Sequence, residues 1–230
     1  MCSMIMFIFQ SIIVLAFMVT SASGACNSDI PTSEFQGLES FYNALDGHNW
    51  VCALNISLAP GVKSIPWNIS DTSANPCHQH WQGVVCTTGG ACHITEINLP
   101  TCRLLGSLPT EIAQLPQLSV LDLHANFVQG SLPTTLSQLS LLSKVNMNSN
   151  NITGSLPTEL FDSAEGLADF AVRFNQITGT IPSNIGALSA LSRLDVSQCS
   201  LELAAFPDFL FNISTLVSLE LFSARFIGNI

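Results

Sequence analysis

Leu105-Gly106-Ser107-Leu108-Pro109 is followed by Gln129-Gly130-Ser131-Leu132-Pro133, Thr153-Gly154-Ser155-Leu156-Pro157 and Thr178-Gly179-Thr180-Ile181-Pro182. The glycines stand 24, 24 and 25 residues apart, and self-similarity at such a period marks a stacked-repeat architecture. Ahead of each phrase lies an alternating apolar pair: Ile97 and Leu99, Leu121 and Leu123, Val145 and Met147, Phe170 and Val172. Leu194 and Val196, then Leu219 and Leu221, continue the series. Alternation puts both side chains of a pair on one face of a short strand. No single repeat can cover that apolar face alone, so stacking has to supply a continuous core.

Three residues beyond each pair stands Cys102, Asn126, Asn150, Asn175 or Cys199, and then an apolar residue: Leu104, Val128, Ile152, Ile177 or Leu201. This order resembles the leucine-rich repeat template. A buried Asn amide can donate to main-chain carbonyls where the coil turns, whereas a thiol donates weakly, so looser turns are expected at the two cysteines. The Gly-x-Leu/Ile-Pro extension resembles the plant-type subclass found in receptor-like kinases and polygalacturonase-inhibiting proteins, over about residues 33 to 230. Proline fits there because its fixed φ and missing N–H suit a position outside the sheet. The resemblance implies an α/β solenoid: a right-handed leucine-rich repeat coil with a short parallel β-sheet on the concave face and a helical, disulfide-bonded N-terminal cap. Six strands at a spacing of about 4.8 Å give a sheet about 24 Å across. Leu203 stands where the glycine is expected and Ala224 where the asparagine is expected, so the last two turns depart from the pattern.

The expected organisation is a signal peptide at 1–25, a cap at 26–93 and repeats at 94–230, five complete and a sixth incomplete. Met4 to Thr20 is an apolar run broken by Gln10 and Ser11, and small residues follow at 21–25, which reads as a secretory leader. Pro31-Thr32 leads into a capping box, Ser33 to Gln36, with apolar residues at Phe35, Leu38, Phe41, Tyr42 and Leu45 and a stop at Asp46-Gly47. Trp50, Trp67 and the stretch Cys77 to Cys86 resemble the N-terminal cap of extracellular leucine-rich repeat proteins, and that resemblance implies a Cys77–Cys86 disulfide. Cys92 and Cys102 flank the first strand at opposite ends, too far apart to bond to each other. Cys92 is left to pair with Cys26 or Cys52, and Cys102 and Cys199, in the inward asparagine column, read as buried free thiols.

Hydrophobic residues form 47% of the 230-residue chain and charged residues 10%, which excludes a disordered, charge-rich polymer. Six basic against sixteen acidic residues give a net charge of -10, opposite in sign to what a phosphate backbone attracts, so nucleic acid is excluded as a partner class. Four sequons, at Asn55, Asn68, Asn151 and Asn212, are candidate glycosylation sites and agree with the leader. The expected location is secreted or the extracellular face of the plasma membrane. Membrane attachment is expected only through a C-terminal region beyond Ile230 or an uncleaved N-terminal segment. The sequence stops at Ile227-Gly228-Asn229-Ile230, inside a phrase where proline should come next, which reads as a truncated product.

No cofactor, metal site or catalytic residue is expected. Cys77, His78, His80 and Cys86 have zinc-ligand chemistry, but their spacing and compartment favour disulfides. Asp122 and His124 point to the same outward face, yet no activated nucleophile accompanies them. The strand positions flanking the buried pairs line the concave face, where the resemblance implies that a protein or peptide ligand docks. The candidate ligand-binding residues are Glu96, Asn98, Asp122, His124, Lys144, Asn146, Asn148, Asp169, Arg173, Arg193 and Asp195. Three of the chain's six basic residues, Lys144, Arg173 and Arg193, fall in these columns. The expected function is therefore non-catalytic extracellular recognition, within a receptor-like ectodomain. A second reading is a soluble inhibitor of a cell-wall-degrading enzyme. A third, an ice- or wall-binding surface, would use the small column Thr95, Ser119, Ser143, Ala168, Ser192 and Val217.

Overall fold

The computed structural model describes residues 26–52, 64–203, 206–222 and 225–226. The leader, the Asn55 sequon, Ala224 and the segment 227–230 lie outside the described residues. Helix α1 (Thr32–Ala44) opens the cap. The strands run in chain order as β1 (Val84–Cys86), β2 (Ile94–Asn98), β3 (Leu105–Ser107), β4 (Val120–Asp122), β5 (Phe127–Gly130) and β6 (Lys144–Asn146). They continue as β7 (Asn151–Ile152), β8 (Asp169–Ala171), β9 (Arg193–Asp195), β10 (Glu202–Leu203), β11 (Ser218–Glu220) and β12 (Arg225–Phe226).

Six of these strands carry the alternating pairs and stack in parallel, giving the order β1-β2-β4-β6-β8-β9-β11. Register follows the repeat: Ile97 pairs with Leu121, Leu121 with Val145, Val145 with Phe170, and Phe170 with Leu194. The pairs from Ile97 through Val196 are sealed from solvent, while Leu219 and Leu221 in the last described coil are half-buried. A seventh strand was not expected. β1, from the cap, joins antiparallel to β2, so cap and repeats share one sheet.

The asparagine column works as a ladder. The Asn126 amide donates to the Leu99 and Leu123 carbonyls at 2.8 and 2.9 Å, and its oxygen accepts from the Cys102 and Leu104 N–H groups at 2.8 and 3.1 Å. Asn150 and Asn175 repeat the two carbonyl bonds one and two coils on, and their oxygens accept one N–H each, from Val128 and Ile152. Cys199 offers only a weak donation from its sulfur to Val172 O at 3.3 Å. It is buried and free, and burial, with the charge of Asp195, raises its thiol against opposing backbone N–H groups.

The glycine phrase does more than turn the chain. β3, β5 and β7 form a second parallel sheet along the flank of the coil, a feature that the sequence reading missed. Each phrase ends in a proline, Pro109, Pro133, Pro157 or Pro182, and Pro207 takes the same place in the glycine-less unit; each immediately precedes a short convex helix. Four of these are single 3-10 turns and the third is the α-helix α2 (Thr158–Ser163). Proline's fixed φ suits this entry, and the N–H it lacks would have had no partner in the helix.

The cap differs from expectation at its start. Pro31 occupies the N-cap of α1 and no side chain caps the helix, so the capping box does not form. Pro31 already sets the entry angle, and Glu34 is drawn inward instead. The Glu34 carboxylate, 1% exposed, accepts from Ile94 N–H at 2.8 Å and meets His93 Nδ1 at 2.5 Å. It therefore ties the helix to the first repeat strand. At the other end Asp46 adopts a left-handed φ of 58° and stops the helix. Stacked rings fill the cap interior: Phe41–Trp67 at 5.8 Å and Trp67–Trp81 at 5.7 Å, with Trp67 Nε1 donating to Gln82 O at 2.8 Å.

Among the described residues three disulfides form: Cys26–Cys92, Cys52–Cys102 and Cys77–Cys86. The reading of Cys102 as a free thiol is corrected. The cap chain passes beside the first turn, with Val51 N–H bonded to Cys102 O at 3.0 Å, which brings Cys52 to it. Cys26, Cys77 and Cys92 also lie close enough together to suggest a metal cluster, but all three sulfurs are engaged in S–S bonds.

Candidate functional site

Parallel register places each concave residue beside its counterparts one coil away, so polar side chains meet across rungs. The first cluster centres on Asp122. Its Oδ1 meets His124 Nδ1 at 2.6 Å, and its Oδ2 accepts from Lys144 Nζ at 3.0 Å and Asn146 Nδ2 at 3.1 Å. Alternation aims Asp122 out of the core, yet it is only 5% exposed because its neighbours fold over it. Burial alone would raise its carboxyl. The hydrogen bonds from His124, Lys144 and Asn146, together with the Lys144 charge, carry it below its ordinary value.

The second cluster centres on Arg193. Its guanidinium reaches Asp195 at 2.9 Å, Asp169 at 3.3 Å and Glu220 at 3.8 Å. Asp195 is 1% exposed, so this pair is a fixed part of the face rather than a solvated surface contact. Between the clusters, Asn148 Oδ1 accepts the Arg173 N–H at 2.6 Å. Arg173 forms no ion pair among the described residues. Its guanidinium lies 4.6 Å from the Phe174 ring centroid, and its Nε is buried without a partner, as is Ser197 Oγ on the next rung.

Of the candidate residues, Asp122, His124, Lys144 and Asn146 come together in one group and Asp169, Arg193 and Asp195 in another. Asn148 and Arg173 lie between them. Glu96 and Asn98, on β2, join neither cluster; the Asn98 backbone is used to bind Gly83 O at 2.7 Å. Glu220 and Phe174 were missed as site residues. Glu220 stands in the same strand column as Asp122 and Asp195, which was a usable signal. Phe174 sits at a left-handed corner, φ 55°, where repeat position alone says nothing about ring placement.

The small column behaves differently from an outward array. The Ser119, Ser143 and Ser192 hydroxyls each donate to a carbonyl of the preceding coil at 3.0 Å, so they serve the main chain.

Comparison with known proteins bears on these features. No family model matches this chain. It is 31% identical over 122 residues to a probable leucine-rich repeat receptor-like serine/threonine-protein kinase of Arabidopsis thaliana, covering 51% of this chain and 11% of that protein. The SOBIR1 receptor kinase ectodomain of Arabidopsis thaliana superposes with a TM-score of 0.67 over 87% of this chain and 97% of that one, at 19% identity, which shows the fold. The fold is that of a leucine-rich repeat ectodomain. The HAESA receptor kinase ectodomain of Arabidopsis thaliana, solved in complex with an IDA peptide hormone ligand, matches 69% of this leucine-rich repeat protein. The chain covers 26% of that ectodomain, at 26% identity and a TM-score of 0.58. This leucine-rich repeat protein spans between 6% and 11% of the length of the curated relatives it matches.

Proposed function

We propose that this chain is a non-catalytic extracellular recognition module that binds a protein or peptide along its concave face, within a receptor-like ectodomain. The observation that carries the reading is the pre-ordered charge of that face. Lys144 and Arg193 are held by near-buried carboxylates, while Arg173 is left with an aromatic neighbour and an unused donor. Groups already fixed on a rigid sheet lose little side-chain entropy when a ligand docks. The kinship to receptor kinases, and the peptide hormone bound by HAESA, support the same reading. Three disulfides suit an oxidising compartment. Among the described residues no helix is long and apolar enough to cross a membrane.

A random-peptide display library panned on the secreted protein tests this. Selected peptides should lose about tenfold or more in affinity on Arg173→Ala, where truncation removes a central arginine contact. They should be unaffected by Glu111→Ala on the convex side. Peptides that bind all concave-face variants as tightly as the parent would overturn the proposal.

A further inference from the structure

The second sheet presents an apolar strip with a sequon beside it. Along β3, β5 and β7 the inward positions Leu104, Val128 and Ile152 are sealed in the core. Alternation therefore turns Leu105, Phe127, Gln129, Asn151 and Thr153 to the same outward side. Leu105 is 49% exposed and Phe127 51% exposed, and the register pairs Leu105 with Phe127 and Gln129 with Asn151. Asn151 and Thr153, the first and third residues of the Asn-Ile-Thr sequon, are both exposed. Adjacent rungs lie about 4.8 Å apart; Asn151 stands opposite Gln129 and diagonally from Phe127, two residues back on β5, within the reach of a sugar attached at Asn151 Nδ2.

We infer that Asn151 is an N-glycosylation site whose first sugars lie over Phe127 and Leu105. This rests on the extracellular reading above. In the modification, Asn151 Nδ2 forms a bond to C1 of an oligosaccharide carried on a lipid diphosphate. The C1–O bond to the diphosphate breaks, the amide loses one proton, and the lipid diphosphate departs with the bonding electron pair. The apolar C–H face of a pyranose then meets the aromatic ring, and its hydroxyls face water. That arrangement accounts for an exposed leucine and phenylalanine side by side on this flank, since contiguous exposed apolar surface usually has a partner. It also closes this flank to protein partners and leaves the concave face open.

The test expresses the full chain through a eukaryotic secretory host and maps glycopeptides by mass spectrometry. Thermal unfolding and apolar-dye binding are then measured for Asn151→Gln, Thr153→Ala, Phe127→Ser and Asn151→Gln with Phe127→Ser. The expected result is a glycan at Asn151, and a midpoint lowered by about 2–4 °C with increased dye binding in both sequon variants. Both changes should disappear in the Phe127→Ser background, because the sugar and the ring act as a pair. An occupied Asn151 whose loss has the same effect with or without Phe127 overturns the inference. So does a bare Asn151 when Asn68 and Asn212 carry sugar. Secreted protein bare at all three positions would remove this site and the glycosylated-ectodomain reading, whereas a normal glycan at Asn151 with no concave-face ligand would remove the recognition reading alone.

Discussion

Replacing Asn126 by alanine isolates what one rung of the asparagine ladder contributes. The substitution removes an amide whose oxygen serves Cys102 N–H and Leu104 N–H and whose nitrogen serves Leu99 O and Leu123 O. The same nitrogen also reaches His124 O at 3.3 Å, but His124 O keeps Thr101 N–H and Leu123 O keeps Asn150 Nδ2 at 2.9 Å, so three backbone groups are orphaned rather than five. Each unsatisfied buried group costs about 1–3 kcal/mol, and Asn126 is 5% exposed, which leaves water little access. The sum is about 3–9 kcal/mol, and local relaxation moves the expectation to the lower part, about 3–5 kcal/mol. Urea titration of Asn126→Ala against the parent reads this directly. Asn43→Ala, an exposed change on α1, serves as the control and should stay within about 0.5 kcal/mol. A loss below about 1 kcal/mol for Asn126→Ala would mean that the turn does not depend on the amide.

Two further outcomes follow from the geometry. The folded value of the Asp122 carboxyl lies below that of the unfolded chain, so its contribution is complete above about pH 3.9 and is lost as pH falls through the folded value. The stability gap between the parent and Asp122→Asn should therefore be widest near neutrality and close in acid, and an equally wide gap at both ends of a urea series would refute the assignment. Gly106 has φ +128°, and a Cβ there would stand 2.0 Å from Ala44 O, at the seam between α1 and the second sheet. Gly106→Ala should cost about 3 kcal/mol and about 6–12 °C in thermal midpoint, while Gly166→Ala, which meets nothing within 4 Å, should leave the midpoint almost unchanged.

Periodicity made the six concave strands and their inward pairs readable, because burial of one face forces alternation and stacking forces a fixed repeat. The second sheet escaped that logic. Leu105-Gly106-Ser107 has no alternating apolar pattern and reads as a turn; its strand character comes from hydrogen bonds to the coil above, which no local pattern encodes. Cys102 was misread because its repeat position was taken to decide its chemistry, whereas the cap brought Cys52 across to it. The concave columns were legible as positions, but not as clusters. That Asp122 would be covered by His124, Lys144 and Asn146 depends on side-chain reach between rungs, and no residue spacing in one dimension carries that information.

The disulfides Cys26–Cys92 and Cys52–Cys102 fasten the cap chain to residues just before and just after β2 (Ile94–Asn98). In a stacked array, coils open by losing a neighbour, so melting starts wherever an end coil is held least. The lacing around β2 gives that process a polarity among the described coils: amides of the cap and of β2 should exchange more slowly than those of the uncrosslinked β6, β8 and β9. The pair of crosslinks thus acts as a ratchet stop, holding one part of the spring shut while the coils beyond it are free to loosen.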